Sequence, residues 1–303
     1  MFNKLIAALL PFMPQRLVWI FSKRYVAGLN INEAIESCKK LNTEGVKVTI
    51  DILGEFIKTL DEAETNTKDY IEVIETTQQH GIDGNYSVKP SMFGLLLDTE
   101  VCYKHIKEIV AKAASYNNFI RIDMEDSPCT DMEIDLFRRL HREFPKNVGL
   151  VMQAYLKRTK SDVENMLDMN TPEIPVNYRL CKGIYIEPAE IAYKDHQEVV
   201  EHYLEDLEFM FKNKIYVGIA SHDKKIIEHA LELIRKYDVP KDRYEFQMLY
   251  GVTPELRKSI VDAGHTMRVY VPYGQRWFSY CTRRLKENPE MAGMIIKALF
   301  NRG

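Results

Sequence analysis

Short runs of apolar, β-branched residues recur along the chain, each followed by a longer stretch whose apolar positions return every three or four residues. The first pattern has the period of a strand and the second that of an amphipathic helix. Strands are predicted at 46–53 (VKVTIDIL), 85–91 (NYSVKPS), 119–125 (FIRIDME), 148–155 (VGLVMQAY), 178–185 (YRLCKGIY), 215–222 (IYVGIASH), 244–250 (YEFQMLY) and 266–273 (TMRVYVPY). Helical spacing predicts helices over 69–81, 101–116, 131–144, 192–213, 224–237 and 253–264. The last opens Thr253-Pro254-Glu255-Leu256, a threonine N-cap with proline at the first helical position. Ser221 or Asp223 is a candidate cap for the helix over 224–237.

Eight strands alternating with helices predict an α/β fold, a TIM-like (β/α)8 barrel, because parallel strands need crossovers and these are usually helical. A doubly wound sheet would often carry a GxGxxG fingerprint, and the chain has none. Residues 1–45 precede the first strand and read as an added N-terminal helical segment; 46–303 read as the catalytic barrel.

Composition narrows this picture. The 303 residues suit one barrel, and 46% hydrophobic with 28% charged residues allows a large core under a soluble surface. A net charge of −3 argues against a general nucleic-acid binder. Five scattered cysteines with no CxxC or Cys/His cluster read as reduced thiols of a cytoplasmic protein without zinc, and neither HExxH nor EF-hand spacing is present. The N-terminal MFNKLIAALLPFMPQRLVWIF hints at a signal peptide, but Pro11 and Pro14 interrupt it and its apolar run falls short of the ~20 residues of a membrane span. It reads first as a packed helix and second as a basic, apolar element for peripheral contact with a membrane surface.

In a barrel of this kind the chemistry sits at the C-terminal ends of the strands. There the predicted strands place Asp51 and Glu55, Lys89, Asp123, Gln153, Arg179 with Lys182, Ser221 with His222, Gln247 and Tyr270. The helical stretch after the last strand adds Arg283 and Arg284 beside Trp277, Phe278 and Tyr280. Charges inside apolar strands are costly unless paired or functional. For any one of them, such as Asp51 or Gln247, a hydrogen bond in the barrel core accounts equally well. Together, Lys89, Arg179, Lys182, Arg283 and Arg284 suit an anionic ligand, since arginine forks to a carboxylate or phosphate and lysine adds a point charge. An isolated Arg-Arg on a helix is more often a solvated face, but the neighbouring aromatics favour an enclosed pocket. A Schiff-base aldolase using Lys89 or Lys182 is the rival reading, and it leaves the arginine pair and Arg179 unexplained.

These residues carry a resemblance. YGQRWFSYCTRRLKENPEM (273–291) closely resembles the signature of the proline dehydrogenase family around its paired arginines. DILGE (51–55), VKPS (88–91), IDME (122–125), QAYL (153–156), RLCKGIY (179–185), ASHD (220–223), EFQMLYG (245–251) and VYVPYG (269–274) agree in order and spacing. The match runs from about 45 to 290, and the length resembles the monofunctional bacterial enzymes. The resemblance implies a distorted (β/α)8 barrel, non-covalent FAD, and oxidation of L-proline to Δ1-pyrroline-5-carboxylate by hydride transfer from proline C5 to flavin N5. It implies that Arg283, Arg284 and Lys89 bind the substrate carboxylate and that Tyr270, Tyr280 and Leu249 line the ring pocket. Arg179 is expected near flavin N5, with Asp123 organising the site. Met124, Gln153, Lys182, Gly183, Ile184, Ser221 and His222 are expected to hold the flavin. Ser221 stands where a threonine is expected, and Ile186 replaces an aromatic found in bifunctional relatives. A membrane quinone as electron acceptor and a separate pyrroline-5-carboxylate dehydrogenase as pathway partner complete what the resemblance implies; oxidation of another cyclic imino acid such as hydroxyproline stands beside the aldolase as an alternative reading.

Overall fold

Each of the eight predicted strands forms, and every boundary lies inside or within a residue of the predicted one. The structure, a computed structural model, describes residues 18–19, 23–54 and 56–287, with side chains up to Thr282. The strands are β1 (Lys47–Ile52), β2 (Gly84–Val88), β3 (Ile120–Ile122), β4 (Val148–Gln153), β5 (Asn177–Cys181), β6 (Tyr216–Ala220), β7 (Tyr244–Leu249) and β8 (Met267–Tyr273). They pair in parallel in chain order, and β1 closes on β8 over six residue pairs, from Lys47 with Arg268 to Ile52 with Tyr273.

Helices follow the strands on the outside: α1 (Ile31–Thr43) precedes β1, then α2 (Leu60–Gln79), α3 (Thr99–Ser115), α4 (Ser127–Glu143), α5 (Thr159–Glu164), α6 (His196–Lys212), α7 (Lys224–Lys236), α8 (Pro254–Asp262) and α9 (Trp277–Glu287). Their buried positions keep the helical period: Ile106, Ile109, Val110 and Ala113 in α3, for example, share one face and pack on the strands. Ala34, Ile35, Cys38 and Leu41 of α1 enter the same core. No helix among the described residues is long and apolar enough to cross a membrane.

Two local expectations are corrected. Thr253 precedes α8 but does not cap it: its backbone is left-handed at φ 40°, and its hydroxyl lies 3.5 Å from Met248 Sδ. The helix predicted over 69–81 starts earlier, at Leu60, behind a capping box of Thr59 and Glu62. At α7 the cap is Asp223, whose carboxylate accepts from the Lys225 amide at 3.1 Å. The membrane expectation for the N-terminus falls on residues outside those described, apart from Val18 and Trp19, which pack against the start of α9.

Successive strand residues alternate between the barrel lumen and the helices. The lumen-facing set is unusually polar: Thr49 and Asp51, Asn85 and Ser87, Arg121 and Asp123, Asn177 and Arg179, Glu245 and Gln247, Arg268 and Tyr270. Near the N-terminal end, Arg121 donates to the Asn177 carbonyl at 2.7 Å, Glu245 accepts from Arg268 Nε at 2.7 Å, and Thr49 donates to Asn85 at 2.5 Å. Gly218 makes room in this packing, because a Cβ there would lie 2.4 Å from the Gln247 amide nitrogen. Pairing satisfies these charges inside the barrel and leaves the C-terminal ends for a cavity.

Candidate active site

The cavity opens over the strand ends with a volume of about 640 Å³, within the range of a cofactor or ligand site. Its floor is a cross-linked network. Asp123, just past β3, accepts from Arg179 Nη1 at 2.7 Å and from Ser87 Oγ at 2.8 Å on one oxygen, and from the Tyr270 hydroxyl at 2.9 Å on the other. Arg179 spends its remaining donors on Gln247 (2.7 Å) and Ser87 (3.1 Å), and its guanidinium lies 5.2 Å from the centre of the Tyr270 ring. Burial, then the neighbouring Asp123 and Asp51, hold the Tyr270 phenol well above its ordinary pKa, so it stays a hydrogen-bond donor.

Lys89, just past β2, reaches Asp51 at 2.6 Å and the Tyr270 hydroxyl at 3.3 Å. Asp51 is completely buried behind it. Burial is the main force that raises the Asp51 pKa to about 6; Lys89 opposes the rise and Asp123 adds to it.

The wall is built by β4 to β7. Gln153 is fixed by donating to the Glu125 carbonyl at 2.8 Å. After β5 the chain turns at Gly183 with φ 101°, a conformation L side chains rarely adopt, and lies so close to Tyr155 that a Cβ would meet the ring at 2.1 Å. Lys182 donates to Asp223 at 3.1 Å and stands 3.4 Å from His196 Nε2. His222 accepts the Leu249 amide proton on Nε2 at 2.8 Å, which puts the proton of its neutral ring on Nδ1. Met124, Ser221, Leu249 and Tyr280 complete the lining.

The structure therefore brings Lys89, Asp123, Met124, Gln153, Arg179, Lys182, Gly183, Ile184, Ser221, His222, Gln247, Leu249, Tyr270 and Tyr280 to one cavity. The barrel-core role weighed for Gln247 also holds, since its amide bridges Arg179 and Glu245. Arg283 and Arg284 fall on the last turns of α9, and their side chains, like Glu55, lie outside the described residues. Ile186 is fully exposed. Sequence reasoning missed Tyr155, Tyr193, Lys194 and His196 in the lining, and Ser87 in the floor. Ser87 was within reach, because it lies two residues before Lys89 and so on the same strand face.

The residues present fit an FAD. A flavin needs a long, largely apolar slot with cations for its pyrophosphate, and this cavity sets Lys182, Lys194 and His196 along a wall of Val151, Tyr155 and Met248.

The family model described as "Proline dehydrogenase" matches residues 34–296. "Proline dehydrogenase 1" of Bacillus subtilis subsp. natto is 35% identical over 281 residues, covering 93% of this chain and 91% of that protein. The "Proline dehydrogenase" of Deinococcus radiodurans is 34% identical over 286 residues, with the same coverage of each. Among solved structures, proline utilization A (PutA) from Bdellovibrio bacteriovorus inactivated by N-propargylglycine superposes with a TM-score of 0.82 at 26% identity. That match covers 89% of this chain, which spans 33% of the larger protein. With the family model and both relatives agreeing over nearly the whole barrel, the chain belongs to the proline dehydrogenase family.

Proposed function

We propose that this protein oxidises L-proline to Δ1-pyrroline-5-carboxylate with a non-covalently bound FAD, the first step of proline catabolism, and passes the electrons to a membrane quinone. The observation that carries this reading is the joined floor of Lys89, Asp123, Arg179 and Tyr270 at the mouth of a family barrel. The flavin, when bound, supplies the two-electron acceptor that no side chain provides.

The protein's share is to bind, orient and exclude water. Lys89, with Arg283 and Arg284, holds the substrate carboxylate; Tyr270, Tyr280 and Leu249 enclose the ring. Fixing one orientation converts an encounter into an intramolecular step, a large fraction of the rate. Arg179 presents a positive charge that Asp123 and Gln247 hold rigid, ready to stabilise negative charge developing beside it. Lys182, Gly183, Ile184, Met124, Gln153, Ser221 and His222 hold the cofactor, with Gly183 letting its turn pack against the Tyr155 ring.

An absorption spectrum tests both halves. The purified protein is expected to be yellow and to bleach on anaerobic addition of proline, then to recover on addition of a soluble quinone. A colourless protein trapped by borohydride with a carbonyl substrate overturns the reading in favour of an aldolase. Recovery with oxygen alone, and not with quinone, removes the quinone from it.

A further inference from the structure

Asp51 has no place in the roles assigned so far. It does not line the cavity, yet it sits directly behind Lys89, which does. Its Oδ1 accepts from Lys89 Nζ at 2.6 Å, while Oδ2 is buried without a hydrogen bond among the described residues. A structural ion pair in a barrel core normally satisfies both oxygens, as Glu245 and Arg268 do at 2.7 and 3.0 Å. The neighbouring Tyr270 hydroxyl gives its proton to Asp123 Oδ2 at 2.9 Å. Asp51 is thus a buried carboxylate with one mobile-proton partner and one bare oxygen, a poor anion and a good place to put a proton.

Resting on the proline-oxidising reading of the site, we propose that Asp51 takes up, through Lys89, the proton that the substrate's ring nitrogen releases. Proline enters with its nitrogen protonated. Lys89, ion-paired with Asp51, already carries a full set of protons and accepts another only by giving one up. In the step, a substrate N–H bond breaks and leaves its electron pair on nitrogen. The proton joins Lys89 Nζ, and one Lys89 proton moves to Asp51. The substrate ends as the free amine, Lys89 as the ammonium and Asp51 as a neutral acid; no electrons change hands. Asp51 acts through Lys89 and touches no substrate, so it is a positioning and proton-holding group.

The groups facing Asp51 agree with this role. Burial and Asp123 after β3 oppose its ionised form; Lys89, just past β2, favours it, as, more weakly, does the nearby Tyr270 hydroxyl. Tyr270 on β8 and the phenols of Tyr70 on α2 and Tyr273 at the end of β8 remain protonated, each raised first by its own burial. None of these phenols competes for the proton near neutrality. Since Asp51 must be ionised to accept, the rate is full above its pKa of about 6 and falls tenfold per pH unit below it.

The test is the pH dependence of proline-driven flavin reduction in rapid mixing, for the wild-type holoenzyme and for Asp51→Asn, which keeps an acceptor for Lys89. In the wild type an acid limb near pH 6 is expected. In Asp51→Asn the rate at pH 8 should fall about a hundredfold or more, the limb should vanish, and proline affinity and flavin content should change little. A merely structural role would lower flavin content or melting temperature and leave the limb in place. Reduction in Asp51→Asn within threefold of wild type, or a wild-type profile without the acid limb, overturns the proposal. The wild-type arm keeps the proposal open to refutation even if the variant does not fold, because a profile without the limb overturns it. Wild-type enzyme that fails to bleach at any pH overturns the function itself, so the two failures are distinct.

Discussion

Arg179 is the residue on which most of the floor depends. All three of its donor nitrogens are committed, to Gln247, Asp123 and Ser87, and its plane lies over an aromatic ring. A lysine would reproduce the charge without the fork. Arg179→Met is expected to slow flavin reduction by more than it weakens proline binding, because in the proposed reading its charge faces the cofactor and not the substrate's carboxylate. It should also destabilise the fold by about 3–5 kcal/mol, since Asp123 loses its buried cation. Reduction kinetics and chemical denaturation of one preparation separate the two effects. If proline affinity falls while the limiting rate of reduction stays unchanged, Arg179 belongs to the substrate's carboxylate and not to the cofactor side. At this scale the sequence was informative: a charged residue inside YRLC, where every neighbour is apolar or small, has to be paired or functional, and Arg179 is paired with Asp123.

Among elements, the turn after β5 is the most constrained part of the wall. Gly183→Ala meets two obstacles at once, a φ of 101° and the Tyr155 ring at 2.1 Å. The strain alone is worth about 1–3 kcal/mol, and relief requires the Lys182–Ile184 backbone to move. The expected outcome is a protein that folds but loses flavin on gel filtration; unchanged flavin retention would show that this turn does not touch the cofactor. Strands were easier to read from the sequence than helices. A strand needs only a short run of β-branched or aromatic residues between breakers, and all eight have one. The first turns of α2, LDEAETNTKD, are polar and lack an apolar stripe, so their helical state depends on the Thr59–Glu62 capping box and on Asn66 and Thr67 turning inward. Six-residue α5 is too short to show a period. Tyr155 and Tyr193 were missed because they lie on connections, where no alternation tells which way a side chain points, and His196 because it opens α6, ahead of the first full turn.

Over the whole molecule, the lumen is held by charges that must stay paired. Glu245 is buried, and it binds Arg268 through two contacts and the Gln247 amide through a third. Glu245→Ala leaves the buried Arg268 guanidinium without its anion, with only the Val48 carbonyl at 2.8 Å as an acceptor among the described residues, and is expected to cost about 3–5 kcal/mol, read as a lower urea midpoint with an unchanged slope. A loss below 1 kcal/mol would mean that water enters the lumen there. This layer lies at the N-terminal end and is joined to the cavity floor through Gln247, which also holds Arg179, so the folded variant is expected to lose more in the rate of flavin reduction than in proline affinity. The division between a stabilising lower layer and a reactive upper one follows from strand direction alone, which is why the candidate residues at the strand ends proved to be neighbours while their partners could not be assigned.

Closure joins β1 to β8, whose paired residues Val48 and Val269 stand about 220 positions apart in the chain. During synthesis at ~5–20 residues per second, β1 leaves the ribosome and waits roughly ten to forty seconds for its partner. Through that interval the edge that later meets β8 presents an open row of amides and carbonyls, the kind of template on which nascent chains stick to one another. Overproduction should accordingly be limited by aggregation of unfinished chains, and slower translation or a chaperone that shields exposed strands would raise the soluble yield without altering a single contact of the finished barrel.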